Sequence, residues 1–96
     1  MKIAIIGAGN IGGAIASGLM QSETGKNFSV VISDPDTAKT SQLAEQYQNI
    51  SAETDNQKAV SEADIVILAV KPWLVEKVLG SITLQPSQIL TFGNQH

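Results

Sequence analysis

Residues 1–20 read MKIAIIGAGNIGGAIASGLM, and this stretch decides the fold. The range 3–20 carries no charge, and glycine recurs through it. A membrane helix needs about 20 predominantly apolar residues, but the glycines would weaken such a helix, and Asn10 falls in its middle. A secretion signal is a second alternative, because Ala14-Ile15-Ala16 imitates a small-residue cleavage site. The order of the glycines favours a third interpretation, which is a strand followed by a helix.

The run divides into three parts with different backbone requirements. Lys2 to Ile6 is short and β-branched, which predicts a buried strand. The next six residues, GAGNIG at 7–12, follow the pattern G-x-G-x-x-G. Ile11, Ile15 and Leu19 then recur at helical spacing. Strand, glycine turn and helix in this order are the context in which the pattern binds a dinucleotide.

Each glycine of the pattern has a physical role in that interpretation. Gly7 permits the tight turn out of the strand, Gly9 lets the backbone approach a pyrophosphate, and Gly12 lets the helix pack closely. The helix N-terminus offers free N–H groups and a partial positive charge to phosphates. From the motif alone, a glycine-rich turn without a ligand stays open. The turn consists of Gly7, Ala8, Gly9, Asn10, Ile11 and Gly12.

The rest of the chain alternates between strand and helix patterns. Further strands are predicted at 28–32, 50–52, 64–70 and 89–92, and helices at 37–47, 56–61 and 73–81. The apolar run at 64–70 is typical of a central parallel strand that is covered on both faces. Right-handed crossovers then predict an α/β fold, a Rossmann-type doubly wound parallel sheet of five strands in the order 3-2-1-4-5. Its ligand crevice is expected at the carboxyl ends of strands one and four.

Composition excludes several classes of function. The chain has 96 residues, a net charge of −3 and no cysteine, and all of its positive charges are lysines. We therefore predict one dinucleotide-binding domain over 1–96, with no affinity for nucleic acid or an anionic membrane. The carboxylates are scattered at turns and helix ends. We predict no catalytic residue and no metal ligand within the chain.

Asp34 bears on the choice between NAD and NADP. It stands twenty-two residues after Gly12, where an acidic residue that binds the adenosine ribose is expected. Its charge favours NAD and repels the 2′-phosphate of NADP, and no arginine is present to hold that phosphate. Ser33, Thr37 and Lys39 could still hold it. A third alternative is that Asp34 only caps the turn, so the prediction leans to NAD and leaves NADP open.

Several stretches together resemble the amino-terminal domain of the pyrroline-5-carboxylate reductase family. They are IIGAGNIGGAI at 5–15, the turn at 33–36, Asn56 and ADIVILAVKP at 63–72. The most specific is the Ala-Val-Lys-Pro run at 69–72. The resemblance covers roughly residues 1–92 and extends more weakly to a wider group of coenzyme F420-dependent NADP oxidoreductase domains.

The resemblance implies roles for individual residues. It places the pyrophosphate on the glycine turn, the adenosine ribose at Asp34 and the adenosine side at Asn56. It also implies that the path toward the nicotinamide is lined by Ala69, Val70, Lys71 and Pro72. Without the resemblance, Lys71-Pro72 would be interpreted as a strand-to-helix turn with proline at the first helical position.

The family implies an activity that this chain does not contain in full. Pyrroline-5-carboxylate reductase is the last enzyme of proline synthesis, a cytoplasmic enzyme that transfers hydride from NAD(P)H to the C=N bond of a small imine. A helical second domain of the family makes the homo-oligomer and most of the substrate site. We expect residues 1–96 to bind cofactor and not to turn over substrate. Another NADP- or F420-type reductase domain, or a non-catalytic dinucleotide-binding module, remains an alternative.

Two stretches depart from the family pattern. Asp34 is less suited to NADP than the small polar residue that the family often has there. Residues 90–94, LTFGN, replace a segment rich in small residues. Phe92 is bulky for that place, and it either faces the core or marks a divergent relative.

Overall fold

The computed structural model describes residues 1–93 as one parallel sheet with helices on both faces. Asn94, the last residue of the divergent stretch, lies outside the described residues. The strands are β1 Lys2–Ile6, β2 Ser29–Ser33, β3 Ile50–Glu53, β4 Ile65–Leu68 and β5 Ile89–Phe92. The helices are α1 Asn10–Gln21, α2 Thr37–Gln46, α3 Asn56–Val60 and α4 Val75–Gly80, with 3₁₀ turns at Gly25–Asn27 and Pro72–Leu74. No helix within residues 1–93 is long and apolar enough to cross a membrane.

The predicted topology is confirmed. The strand order is β3-β2-β1-β4-β5, and every pairing is parallel. The last residue of β1, Ile6, pairs with Ser33 on one side and with Leu68 on the other. The three central strands therefore end at the same level, and the loops that follow them meet at one edge of the sheet.

The core consists of two apolar clusters, one on each face of the sheet. On the first face, α1 and α2 pack against alternate residues of β1, β2 and β3, with Ile5 and Ile32 fully buried. On the second face, α3 and α4 cover the other alternate residues, among them Val66 and Leu68. Helix α2 is preceded by Asp36, whose carboxylate accepts a hydrogen bond from the N–H of Ala38 and caps the helix.

Strand β4 differs from its prediction in length and in coverage. It spans Ile65–Leu68 rather than 64–70, and Ile65 and Ile67 are only partly buried. The reason is that the helices of that face, α1 and α2, connect β1, β2 and β3 and leave β4 and β5 less covered. On β5, Ile89 and Phe92 are 61% and 56% exposed. Phe92 therefore does not face the core.

A matched pair of glycines on α1 tests how closely this helix must approach β1. A Cβ built on Gly12 overlaps the backbone carbonyl of Gly7, whereas a Cβ on Gly18 meets nothing within 4 Å. We expect Gly12→Ala to destabilise the fold by about 1–3 kcal/mol, because backbone cannot move aside as a side chain can. Gly18→Ala should instead stabilise it by about 0.5–1 kcal/mol, the usual gain in a helix interior. Urea unfolding followed by circular dichroism measures both changes, and equal effects of the two substitutions would contradict this packing.

Candidate functional site

The turn after β1 is built around a glycine that no other residue could replace without strain. Gly7 has a φ of 111°, and a Cβ there would lie 2.6 Å from the carbonyl oxygen of Ala69. Its N–H donates to the carbonyl of Ser33 at 2.7 Å, and the N–H of Ala69 donates to the carbonyl of Ile6 at 2.8 Å. These bonds hold the glycine turn between the ends of β2 and β4. The turn predicted at Gly7 is confirmed.

Gly12 brings α1 against this turn. Because its missing Cβ would overlap the carbonyl of Gly7, the first turn of α1 lies directly on the end of β1. The close packing predicted for Gly12 is therefore confirmed, and the N-terminus of α1 is held at the edge where the central strands end.

Gly9 lies on the open side of the same turn. It is the N-cap residue of α1, and it has no side chain to cap the first N–H groups of the helix. A Cβ built there meets nothing within 4 Å, so the space above its backbone is open. The first turn of α1 contains no acidic residue. Uncapped N–H groups beside open space suit an anionic group, because the helix end carries partial positive charge.

Asp34 joins the glycine turn to the loop after β2. Its Oδ2 accepts a hydrogen bond from the N–H of Ala8 at 2.8 Å. Its Oδ1 accepts one from the N–H of Asp36, also at 2.8 Å. These two bonds show that Asp34 caps the turn, as one of the alternatives above predicted. Each carboxylate oxygen can still accept a second hydrogen bond, so the same group can also serve a ligand hydroxyl.

Ser33 and Lys39, considered above as phosphate ligands, lie elsewhere. The Ser33 side chain is fully buried, and its hydroxyl donates to Oδ1 of Asn56 at 2.8 Å. This bond orients the Asn56 amide, whose nitrogen has no partner among residues 1–93. Lys39 lies along a third groove between α1 and α2, which shares Gly9 and Asn10 with the smaller of the cavities described next. Neither side chain faces the cavities described next.

Two adjoining cavities lie at the carboxyl edge of the sheet. Their volumes are about 390 and 180 Å³, and they share Asp34, Val70 and Leu74. The larger extends toward Asn56 and α4, and the smaller extends toward the start of α1. Of the residues predicted from the sequence to bind a cofactor, those that line the cavities are Gly7, Gly9, Asn10, Ile11, Asp34, Asn56, Ala69, Val70 and Lys71.

The other three predicted residues support the site without lining it. Ala8 is buried and donates to Asp34, Gly12 packs against Gly7, and Pro72 begins the 3₁₀ turn that leads to α4. Their direct contact with a cofactor stays a prediction, as it does for the residues that line the cavities.

Sequence reasoning missed one wall of the larger cavity. Pro35 lines the cavity beside Asp34, and the missed wall itself is formed by side chains in and next to α4, namely Leu74, Lys77, Val78 and Ser81. A signal for this wall was present, because positions 74, 77, 78 and 81 fall on one side of a helix. The helix also follows directly from the loop at the crevice mouth.

The groups at this edge of the sheet are suited to binding a ligand. Within residues 1–93, no three His, Cys, Asp or Glu residues cluster closely enough to hold a metal ion. The ion pair between Lys2 and Glu62, with an N–O distance of 3.4 Å, lies at the start of β1, the edge away from the cavities. The cavities are bordered by helix N–H groups, a carboxylate, an amide, apolar walls and the ammonium groups of Lys71 and Lys77.

Comparison with known proteins places the chain in a family. Residues 2–92 match the family described as NADP oxidoreductase coenzyme F420-dependent. The pyrroline-5-carboxylate reductase of Pasteurella multocida is 38% identical over 84 residues, which are 85% of this chain and 30% of that protein. The chain thus spans about 30% of the length of this curated relative.

Solved structures agree with this assignment. The 1-pyrroline-5-carboxylate reductase of Streptococcus pyogenes has 32% sequence identity and a TM-score of 0.74, over 96% of this chain and 33% of that one. An imine reductase from Myxococcus stipitatus in complex with NADP⁺ has a TM-score of 0.76 at 19% identity, over 96% of this chain and 31% of that one, and supports the fold. The chain therefore belongs to the coenzyme F420-dependent NADP oxidoreductase family and is similar within it to the pyrroline-5-carboxylate reductases.

Proposed function

We propose that this chain is the dinucleotide-binding domain of an NAD(P)H-dependent reductase of the pyrroline-5-carboxylate reductase type. The observation that carries the proposal is the open cradle at Gly9. A Cβ there would occupy free space beside the uncapped N-terminus of α1, on the wall of the smaller cavity. A pyrophosphate needs such a close approach of backbone, and the helix end favours its charge.

The two cavities divide the cofactor between them in this proposal. The pyrophosphate lies on the turn at 7–12, with Lys71 of the smaller cavity able to place a positive charge beside it. The adenosine fills the larger cavity, where Val70 and Val78 supply apolar walls. The amide nitrogen of Asn56 faces this adenosine side as a donor, because the Ser33 hydroxyl already occupies its oxygen. The nicotinamide extends past 69–72 toward the open side of β5.

The reaction that we propose is reduction of the ring C=N of pyrroline-5-carboxylate to give proline. The nicotinamide supplies the hydride when it is bound. The residues of this chain bind and orient the cofactor in this proposal. The substrate pocket, the homo-oligomer and a cytoplasmic location belong to the whole protein in this proposal. The chain alone is expected to bind cofactor without turnover.

Between the two nicotinamide cofactors, we favour NAD(H) for its fit to Asp34. Both carboxylate oxygens of Asp34 are oriented by backbone N–H groups, and the side chain lines both cavities. A ribose with free hydroxyls can donate to the remaining lone pairs. A 2′-phosphate would instead bring negative charge toward the carboxylate.

The first test concerns the cradle. We expect Gly9→Val to abolish binding of NADH and NADPH while the fold is kept, because the backbone at Gly9 (φ −71°, ψ −163°) suits any residue and the new side chain enters open space. The matched control is Gly18→Val, which also enters open space but on an exposed turn of α1. Calorimetric titration measures affinity, and circular dichroism checks the fold. If Gly9→Val binds the cofactors as tightly as the control does, the pyrophosphate does not lie over the backbone of Gly9.

The second test concerns Asp34. We expect Asp34→Asn to shift the ratio of affinities toward NADPH by about fivefold, which is the effect of roughly 1 kcal/mol of removed repulsion. Asn keeps the shape and one acceptor oxygen, so one of the two backbone hydrogen bonds can remain. The matched control is Asp36→Asn, which removes a neighbouring charge outside the cavities and leaves a good N-cap. If both variants leave the ratio unchanged, Asp34 does not select the cofactor.

A further inference from the structure

The larger cavity contains one positive charge, and the roles derived above do not use it. Of the side chains that line this cavity within residues 1–93, Asp34 is the one anion and Lys77 is the one cation. They stand on different walls, since Asp34 follows β2 and Lys77 belongs to α4. A ligand between these walls meets both charges.

Lys77 is available to such a ligand. It is exposed, and within residues 1–93 it takes part in no ion pair and no side-chain hydrogen bond. Its ammonium ends a flexible four-carbon stem, so it can move toward an anion without a change in the backbone. Glu76 precedes it on α4 but does not line the cavity.

We propose that Lys77 is a specificity-determining residue that lets the adenosine cavity accept a 2′-phosphate, so that the site binds NADPH as well as NADH. This inference rests on the proposed function. Asp34 alone would disfavour a phosphorylated ribose, and Lys77 offsets that repulsion from the opposite wall. Lys39 was the lysine that the sequence suggested for this phosphate, but it lines the groove between α1 and α2 instead. With no arginine in the chain, Lys77 is the cation that this cavity offers.

The test compares cofactors that differ only in the 2′-phosphate. Wild type and Lys77→Met are titrated with NADPH and NADH, and with adenosine 2′,5′-bisphosphate and adenosine 5′-monophosphate as probes without nicotinamide. We expect Lys77→Met to lower the affinity for NADPH and for the bisphosphate by about five- to tenfold, which is the effect of losing one partly screened charge pair. The affinity for NADH should stay within about twofold of the wild-type value. Rising ionic strength should lower the affinity of wild type for NADPH more than its affinity for NADH. This difference in salt dependence should be smaller in Lys77→Met.

Two matched variants separate Lys77 from the other lysines. Lys39→Met removes the charge in the neighbouring groove, and Lys58→Met removes an exposed charge on α3 outside all three grooves. Both should leave the ratio of NADPH to NADH affinity unchanged. The inference is overturned if Lys77→Met leaves the ratio unchanged or weakens both cofactors equally, or if Lys39→Met reproduces the effect. If wild type binds neither cofactor, the proposed function falls first and this inference falls with it.

Discussion

The contact between Gly12 and the carbonyl of Gly7 is the constraint on which the rest of the site depends. With no Cβ at position 12, the first turn of α1 lies directly on the end of β1. This contact fixes where the uncapped N-terminus of α1 points. It also leaves Gly9 on the free side of the turn, so one close approach creates both the buried packing and the exposed cradle.

Asp34 provides a second constraint that couples stability to selectivity. Its carboxylate links the glycine turn to the loop after β2 through two backbone N–H groups. The same carboxylate lines both cavities, where in the proposed binding mode its charge acts on the adenosine ribose. A residue that braces the turn and also faces the ligand cannot be exchanged for one purpose without affecting the other. Lys77 on the opposite wall has no such structural task, which makes it the easier position at which to tune the preference for a phosphorylated cofactor.

Much of the fold could be predicted because its signals are local. The β-branched run at Lys2–Ile6 and the ordered glycines at 7–12 define strand, turn and helix, and handedness rules then give the strand order. The cavity walls could not be predicted in the same way, because they depend on which side of α4 meets the crevice. The sequence predicted a helix at 73–81 without a role in binding, and Leu74 and Val78 of that stretch line the larger cavity. The hydrogen bond from the N–H of Ala8 to Asp34 likewise depends on the packing of two loops that are distant in sequence.

The most direct test of the account is a nuclear magnetic resonance titration of the 96-residue chain with NADPH and with NADH. A chain of 10.1 kDa is well suited to mapping its backbone amides one by one. The account predicts that the largest shifts fall on amides of the turn at 7–13, on Asp34 and Asn56, and on 69–71. Residues 39–46, along the groove between α1 and α2, should shift little. Shifts that are largest at residues 39–46, or no shifts with either cofactor, would contradict the account.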